Sequence, residues 1–373
     1  MKKFYLLLSI LLIFSGGFIA GSFFTKENNK KEVSFEQNPQ SSKELEPKEK
    51  PELDQSPSKK LIGYVQDFRD PNVVDYKRLT HVIFSFAHPM KDGSIQFNGE
   101  NAINNLRAMV SKAHQNNTKA MLAVGGWFHI NGGESYDYFK AAIADSGSRG
   151  KLVQELASLT EQEKLDGIDI DFEHPRSQED AAYLHAFTQE LSNKLHSQGK
   201  ELSIAVHSKI HSVTGTELGF VVYEPSMFQD VDYVNIMAYD GQWDGGYNAA
   251  NLSPYPFTED IVNYWATLFD THNLSKEKLV LGVPFYAQPE DPNTKQVSYD
   301  ALIQSNPNNA NQDIVKLNGT IYHYNGDKTI QRKTELALHH GFGGMMMWEV
   351  GLDAKGEYSL TATISEVLKQ TKF

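Results

Sequence analysis

The chain has 373 residues, 40% of them hydrophobic and 11% aromatic, enough to bury the core of one large domain or two ordinary ones. Its net charge of −12 excludes nucleic acid and an anionic membrane surface as main partners, because both bind a basic face, and it leaves a neutral polymer such as a glycan open. Cysteine is absent, which removes disulfides, thiolate metal sites and cysteine nucleophiles, and no cofactor is expected.

In chain order, Lys2 and Lys3 precede an apolar run from Phe4 to Phe24. Residues 1–24 therefore read as a signal peptide or an uncleaved membrane anchor, long enough to span a bilayer of ~30 Å. A candidate cleavage point follows Ser22, with the small Ala20 two residues earlier. This segment is the one membrane contact expected of the chain, and it implies a secreted or otherwise extracytoplasmic location. Over residues 25–60 Glu, Lys, Pro, Ser and Asn replace the large apolar residues, and Pro39, Pro47, Pro51 and Pro57 favour an extended form. Such a segment cannot bury enough surface to offset its chain entropy, so a disordered linker is expected.

From residue 61 to 373 the texture is globular. Apolar runs bounded by turn residues recur at Leu61–Gln66, His81–Ala87, Ala120–Gly126, Gly167–Phe172, Leu202–Val206, Val231–Ala238, Leu279–Phe285 and Gly343–Trp348. Amphipathic helical patterns lie between most of them, at Ala102–His114, Lys151–Lys164, Asp180–His196, Glu259–Phe269 and Thr329–His340. Alternating strands and helices imply a parallel sheet covered by helices. Eight such units suit an α/β fold of the (β/α)8 barrel type. A doubly wound sheet is the rival, but no Gly-x-Gly-x-x-Gly turn follows the first strand. The stretch from Ala287 to Phe342 is too short for a large α+β insertion domain, so an open groove is expected.

Leu165 to Glu173 reads Leu-Asp-Gly-Ile-Asp-Ile-Asp-Phe-Glu. Side chains alternate along a strand, so Asp169, Asp171 and Glu173 share one face and Ile168, Ile170 and Phe172 the other. In a barrel the acidic face must be the interior, where three acids are a liability unless protonated, paired or solvated at an open end. An acidic edge strand facing water is the bland alternative, and a Mg²⁺ or Ca²⁺ site is the sharper one. Tyrosines and tryptophans nearby favour glycoside hydrolysis. Neighbouring carboxylates cannot all ionise cheaply, so one should keep a proton, and Glu173, outermost toward the C-terminal mouth, suits a general acid. Asp166 has the opposite parity and fits a structural role at the start of the strand.

These residues resemble glycoside hydrolase family 18, the chitinase family, whose signature Asp-x-x-Asp-x-Asp-x-Glu is matched by Asp166, Asp169, Asp171 and Glu173. Four more motifs occur in family order: Ala123–Trp127, Met237–Asp240, Gly282–Tyr286 and Gly343–Glu349. The resemblance implies a retaining endo-acting hydrolase of β-1,4-linked N-acetylglucosamine polymers in which the substrate's own N-acetyl oxygen attacks. Glu173 would be its acid and base. Asp171 would hold the acetamido N–H, Asp169 would share a proton with Asp171, and Tyr239 would donate to the acetamido carbonyl. Trp348 would floor the sugar, with Tyr64, Phe86, Gly126, Trp127, Met237, Asp240 and Tyr286 binding substrate. Trp243 is a further candidate for stacking leaving-side sugars, and for Trp127 and Trp243 alike a core position is the alternative. His207 and His211 are placed at the end of the fifth strand as weaker candidates, while His339 and His340 fit a surface helix end. Ala123 stands where the family often carries serine, so support for Asp169 must come from elsewhere, with Tyr64 the candidate. Chitin or a related glycan is the expected partner, a monomer the expected state and no metal is required. An endo-β-N-acetylglucosaminidase acting on glycoprotein or cell-wall glycans and a non-catalytic chitin-binding lectin are the alternatives.

Overall fold

The computed structural model describes residues 59–370. The readings of residues 1–24 as leader or anchor and of residues 25–58 as linker lie outside the described residues. Eight parallel strands form the centre: β1 (Lys60–Gln66), β2 (His81–Pro89), β3 (Lys119–Gly125), β4 (Gly167–Asp171), β5 (Glu201–His207), β6 (Tyr233–Met237), β7 (Leu279–Pro284) and β8 (Gly344–Trp348). Each pairs with the next, and β1 pairs with both β8 and β2, so the sheet closes. This is the (β/α)8 barrel expected from the alternation.

The helices are α1 (Gly99–Gln115), α2 (Ser135–Ala144), α3 (Ser146–Gln162), α4 (Gln178–His196), α5 (Tyr255–Thr271), α6 (Tyr299–Ser305), α7 (Asp327–His339) and α8 (Leu360–Gln370). Their ends follow local chemistry. Ser177 caps α4 by accepting from the Asp180 N–H, with Glu179 and Asp180 in its first turn and Lys194 and His196 in its last, which suits the helix dipole. Asp145 caps α3 through the N–H groups of Gly147 and Ser148. Among the described residues no helix is long and apolar enough to cross a membrane.

Two apolar layers result. Ile168, Ile170 and Phe172 point outward, at 2% exposure or less, into the large core between sheet and helices. A smaller cluster fills the barrel itself, including Ile62, Tyr64, Ile83, Met121, Ala123, Val280 and Met346. Two features of the connections matter. The connections after β1 and β5 carry only 3₁₀ turns, at Pro71–Val73, Tyr76–Arg78 and Pro225–Gln229. Between β7 and α7 stands a small antiparallel sheet of Tyr286–Pro289, Val297–Ser298, Ile314–Leu317 and Thr320–His323. It is an insertion of modest size, held against the loop after β6 by the Tyr247 hydroxyl on the Pro289 carbonyl and by Gln288 Nε2 on Tyr247 at 2.7 Å.

Candidate active site

Parity on β4 turns Asp169 and Asp171 into the barrel, and Glu173 continues the row at the mouth. Asp169 is 0% exposed and takes three donors: Tyr64 Oη at 2.7 Å, Ser203 Oγ at 2.5 Å and Asn235 Nδ2 at 3.1 Å. Burial raises its pKa to about 6 against those hydrogen bonds, which favour the anion. The same burial, with Asp169 beside it, lifts the Tyr64 hydroxyl far above its ordinary value, so Tyr64 stays a donor. Ala123 lies level with Asp169 in the strand register and supplies no hydroxyl. Its place is taken from the other side of β4, by Ser203 on β5 and Asn235 on β6. Both were missed from the sequence, although each is a polar residue at an inward parity of an apolar strand.

Asp171 is 3% exposed, and its Oδ1 has no hydrogen-bond partner among the described residues. Burial, then the charges of Glu173 and Asp169, push its pKa well up. Glu173 is half-buried and rises to about 8, through burial and then the Asp240 carboxylate. Asp240, at the end of β6, thus adds its charge to that of Asp171, with which Glu173 is coupled. Burial and mutual repulsion thus favour keeping a proton on the Asp171–Glu173 pair.

The end of β3 brings main chain close to this row. The Gly126 N–H donates to the Asp171 carbonyl at 2.9 Å. Gly125 and Gly126 have φ of 119° and 83°, and a Cβ would meet the Asp171 carbonyl at 2.1 Å or the Phe86 ring at 2.9 Å. Only glycine fits at either position.

Across the mouth Trp348 lies with its ring centroid 5.7 Å from Tyr64 and 5.8 Å from Phe86, the latter at 28° between planes. Tyr239 is 8% exposed; among the described residues its hydroxyl meets only the Met346 thioether, at 4.0 Å, and so stays an uncommitted donor. Gly282 makes room for both, since a Cβ there would lie 2.7 Å from Met346 Cε. Asp240 sits in the left-handed region at φ 64° and opens to the cleft, where its Oδ1 accepts from Tyr286 Oη at 2.5 Å and Gln242 Nε2 at 3.0 Å. Met237, inward-facing on β6, is half-buried beside them.

Trp127 and Trp243 are 40% and 59% exposed, so neither is a core residue. Asp166 acts structurally: its Oδ2 accepts from the Ala120 N–H and from His114 Nε2, both at 2.8 Å. His211 Nδ1 closes a local turn by accepting from Val213 N–H, while His339 and His340 end α7. His207 reaches the mouth. Among the described residues no group of three His, Cys, Asp or Glu is disposed to hold a metal.

Chitinase B of Serratia marcescens is 26% identical over 258 residues, covering 57% of this chain, and the chain spans about half (51%) of that relative. A chitinase from the chitin utilization locus of Flavobacterium johnsoniae matches with a TM-score of 0.69 and 26% identity, over 84% of this chain and 94% of that one. A chitinase-like agglutinin from Robinia pseudoacacia shares the fold, with a TM-score of 0.67 and 18% identity over 82% and 99% of the two chains. The family model for glycosyl hydrolases family 18 matches residues 60–353. A match of that extent covers every strand of the barrel and the whole carboxylate row, and the chain belongs to glycosyl hydrolases family 18.

Proposed function

We propose that this chain is a retaining endo-hydrolase of β-1,4-linked N-acetylglucosamine chains, chitin or its oligomers, working by substrate-assisted catalysis. The observation that carries the reading is the pairing of a protonated Glu173, at about 8, with a buried Asp171 whose Oδ1 is left without a donor. An orphaned buried carboxylate oxygen costs about 1–3 kcal/mol or more, so a ligand that donates to it is bound with that much to gain. The acetamido N–H of a sugar seated on Trp348 is such a donor. Glu173 gives its proton to the leaving oxygen while the acetamido carbonyl oxygen closes on the anomeric carbon, guided by the Tyr239 hydroxyl. Asp171 then faces the positive charge that develops on the acetamido nitrogen, and Asp169, held by Tyr64, Ser203 and Asn235, fixes where the negative charge of the pair resides. The Glu173 carboxylate next takes a proton from water, which opens the ring and restores the acid.

The same reading sets the barrel outside the cytoplasm, on the pattern of Lys2, Lys3 and the apolar run to Phe24. Intact Glu173 argues against a lectin. Glu173→Gln tests the assignment. It should reduce turnover of chito-oligosaccharides by about 10³-fold or more, with binding, read calorimetrically, kept within a few-fold. Retained turnover would refute Glu173 as acid, and wild-type binding without turnover would make the protein a lectin. Running peptidoglycan and a high-mannose glycopeptide beside the oligosaccharides separates the polymer classes.

A further inference from the structure

The acid has a histidine neighbour that its signature does not specify. In β5 the inward parity runs Ser203, Ala205, His207. Asp169 pairs in register with Ser203, and His207 stands at the C-terminal end of β5, the end at which Glu173 follows β4. The His207 ring meets the ring of His174, next after the acid, edge-on with centroids 5.0 Å apart.

The proton on His207 has a defined place. Lys209 N–H donates to His207 Nδ1 at 3.0 Å, and an amide N–H can only donate, so the ring hydrogen is on Nε2. Every side-chain hydrogen bond of His207 among the described residues is made by Nδ1. The half-buried ring therefore presents an uncommitted N–H at the mouth. Burial, with His174 and Lys209 nearby, holds its pKa down to about 3, so this donor is uncharged wherever Glu173 is active.

Direction around the barrel decides what it meets. Trp348, Tyr64 and Phe86 belong to β8, β1 and β2. On the far side β5 stands between the strand side leading to Trp127 and the strand leading to Trp243, and Phe220, 56% exposed, covers His174 there at 5.7 Å. On the hydrolase reading, a sugar on Trp348 with its glycosidic oxygen at Glu173 would direct the next sugar, the one that leaves, toward this side. We infer that His207 Nε2–H is a binding residue for the leaving-side sugar, donating to one of its hydroxyls. The inference rests on the hydrolase reading above.

The test compares two leaving groups. On a chito-oligosaccharide, His207→Ala should lose about 5–10-fold in kcat/KM, the worth of one hydrogen bond, while an aryl chitobioside, whose leaving group has no sugar hydroxyl, should change by less than about twofold. His207→Gln, which keeps an N–H donor, should recover most of the loss. The aryl substrate also reports whether the variant has folded. Equal losses on both substrates, or none on either, would overturn the inference. A wild-type protein that cleaves neither substrate would instead sink the hydrolase reading itself.

Discussion

Asp240 shows how much of the acid's behaviour is set from outside its own strand. Its carboxylate, held by Tyr286 and Gln242, adds to burial and to the Asp171 carboxylate in raising the pKa of Glu173. A negative neighbour disfavours the ionised acid and raises its pKa. The working form of Glu173 is protonated, so kcat/KM for chito-oligosaccharides should fall as pH rises through about 8. Asp240→Asn removes that charge, lowers the pKa of Glu173 and should move the alkaline limb to lower pH by about one unit. The pH profile of kcat/KM reads this shift separately from any loss in its height. An unmoved limb would mean that burial and Asp171 hold the proton without help from Asp240. The carboxylate row itself was legible in the sequence, because strand parity is arithmetic. The Asp240 effect was not, because it depends on how closely β4 and β6 loops approach at the mouth.

The opposite end of the barrel explains why the strands keep their register without help from the site. Glu201 at the start of β5 receives His81 Nε2 from β2 at 3.0 Å, Tyr233 Oη from β6 at 3.1 Å and the Lys119 ammonium from β3. Burial would raise its pKa, but the hydrogen bonds and charges of His81 and Lys119 outweigh that and bring it to about 2. A carboxylate whose folded-state pKa lies below its unfolded value stabilises the fold above the unfolded value, and the gain fades as pH falls through the folded one. Glu201→Gln should therefore cost roughly 2–3 kcal/mol near neutral pH in urea unfolding, with the gap from wild type closing between about pH 4.5 and 2. A gap independent of pH would show that shape, not charge, is what Glu201 supplies. At this scale the sequence reading succeeded for the eight strands, since each is a short buried run bounded by turn residues, apolar throughout or, in β4, alternating apolar with acidic. It missed α2, although Phe139, Ala142 and Ile143 bury one side of it, because the helix follows the Gly132–Gly133 turn and abuts α3 across Asp145 alone. It also missed the small sheet after β7, whose strands of two to four residues are too short for any period to emerge.

Besides its contacts with Tyr247, that insertion is tied into the molecule by a buried amine. Lys333 on α7 is 0% exposed, and its Nζ donates to the Ser253 carbonyl at 2.5 Å, Ser253 Oγ at 2.7 Å and Asn325 Oδ1 at 2.7 Å. Ser253 precedes α5 and in turn donates to the Ala238 carbonyl, just before Tyr239, while Asn325 follows the last strand of the insertion. A single side chain thus joins the insertion, two outer helices and the segment that carries Tyr239 and Asp240. Burial lowers the pKa to about 7 from an ordinary value of 10.5, against the Asp313 carboxylate, which favours the ammonium form. Between those two values the unfolded chain binds the proton that the folded chain has released, so this group makes the fold more stable as pH rises. Lys333→Met keeps the volume and removes the titration, leaving three acceptors unmatched, so it should destabilise the protein at all pH values. Relative to that variant, wild type should gain about 1–3 kcal/mol in urea unfolding between about pH 7 and 9. A constant difference would mean that the three acceptors keep Lys333 charged throughout, and that the insertion is held by an ammonium rather than by an amine at the point of losing its proton.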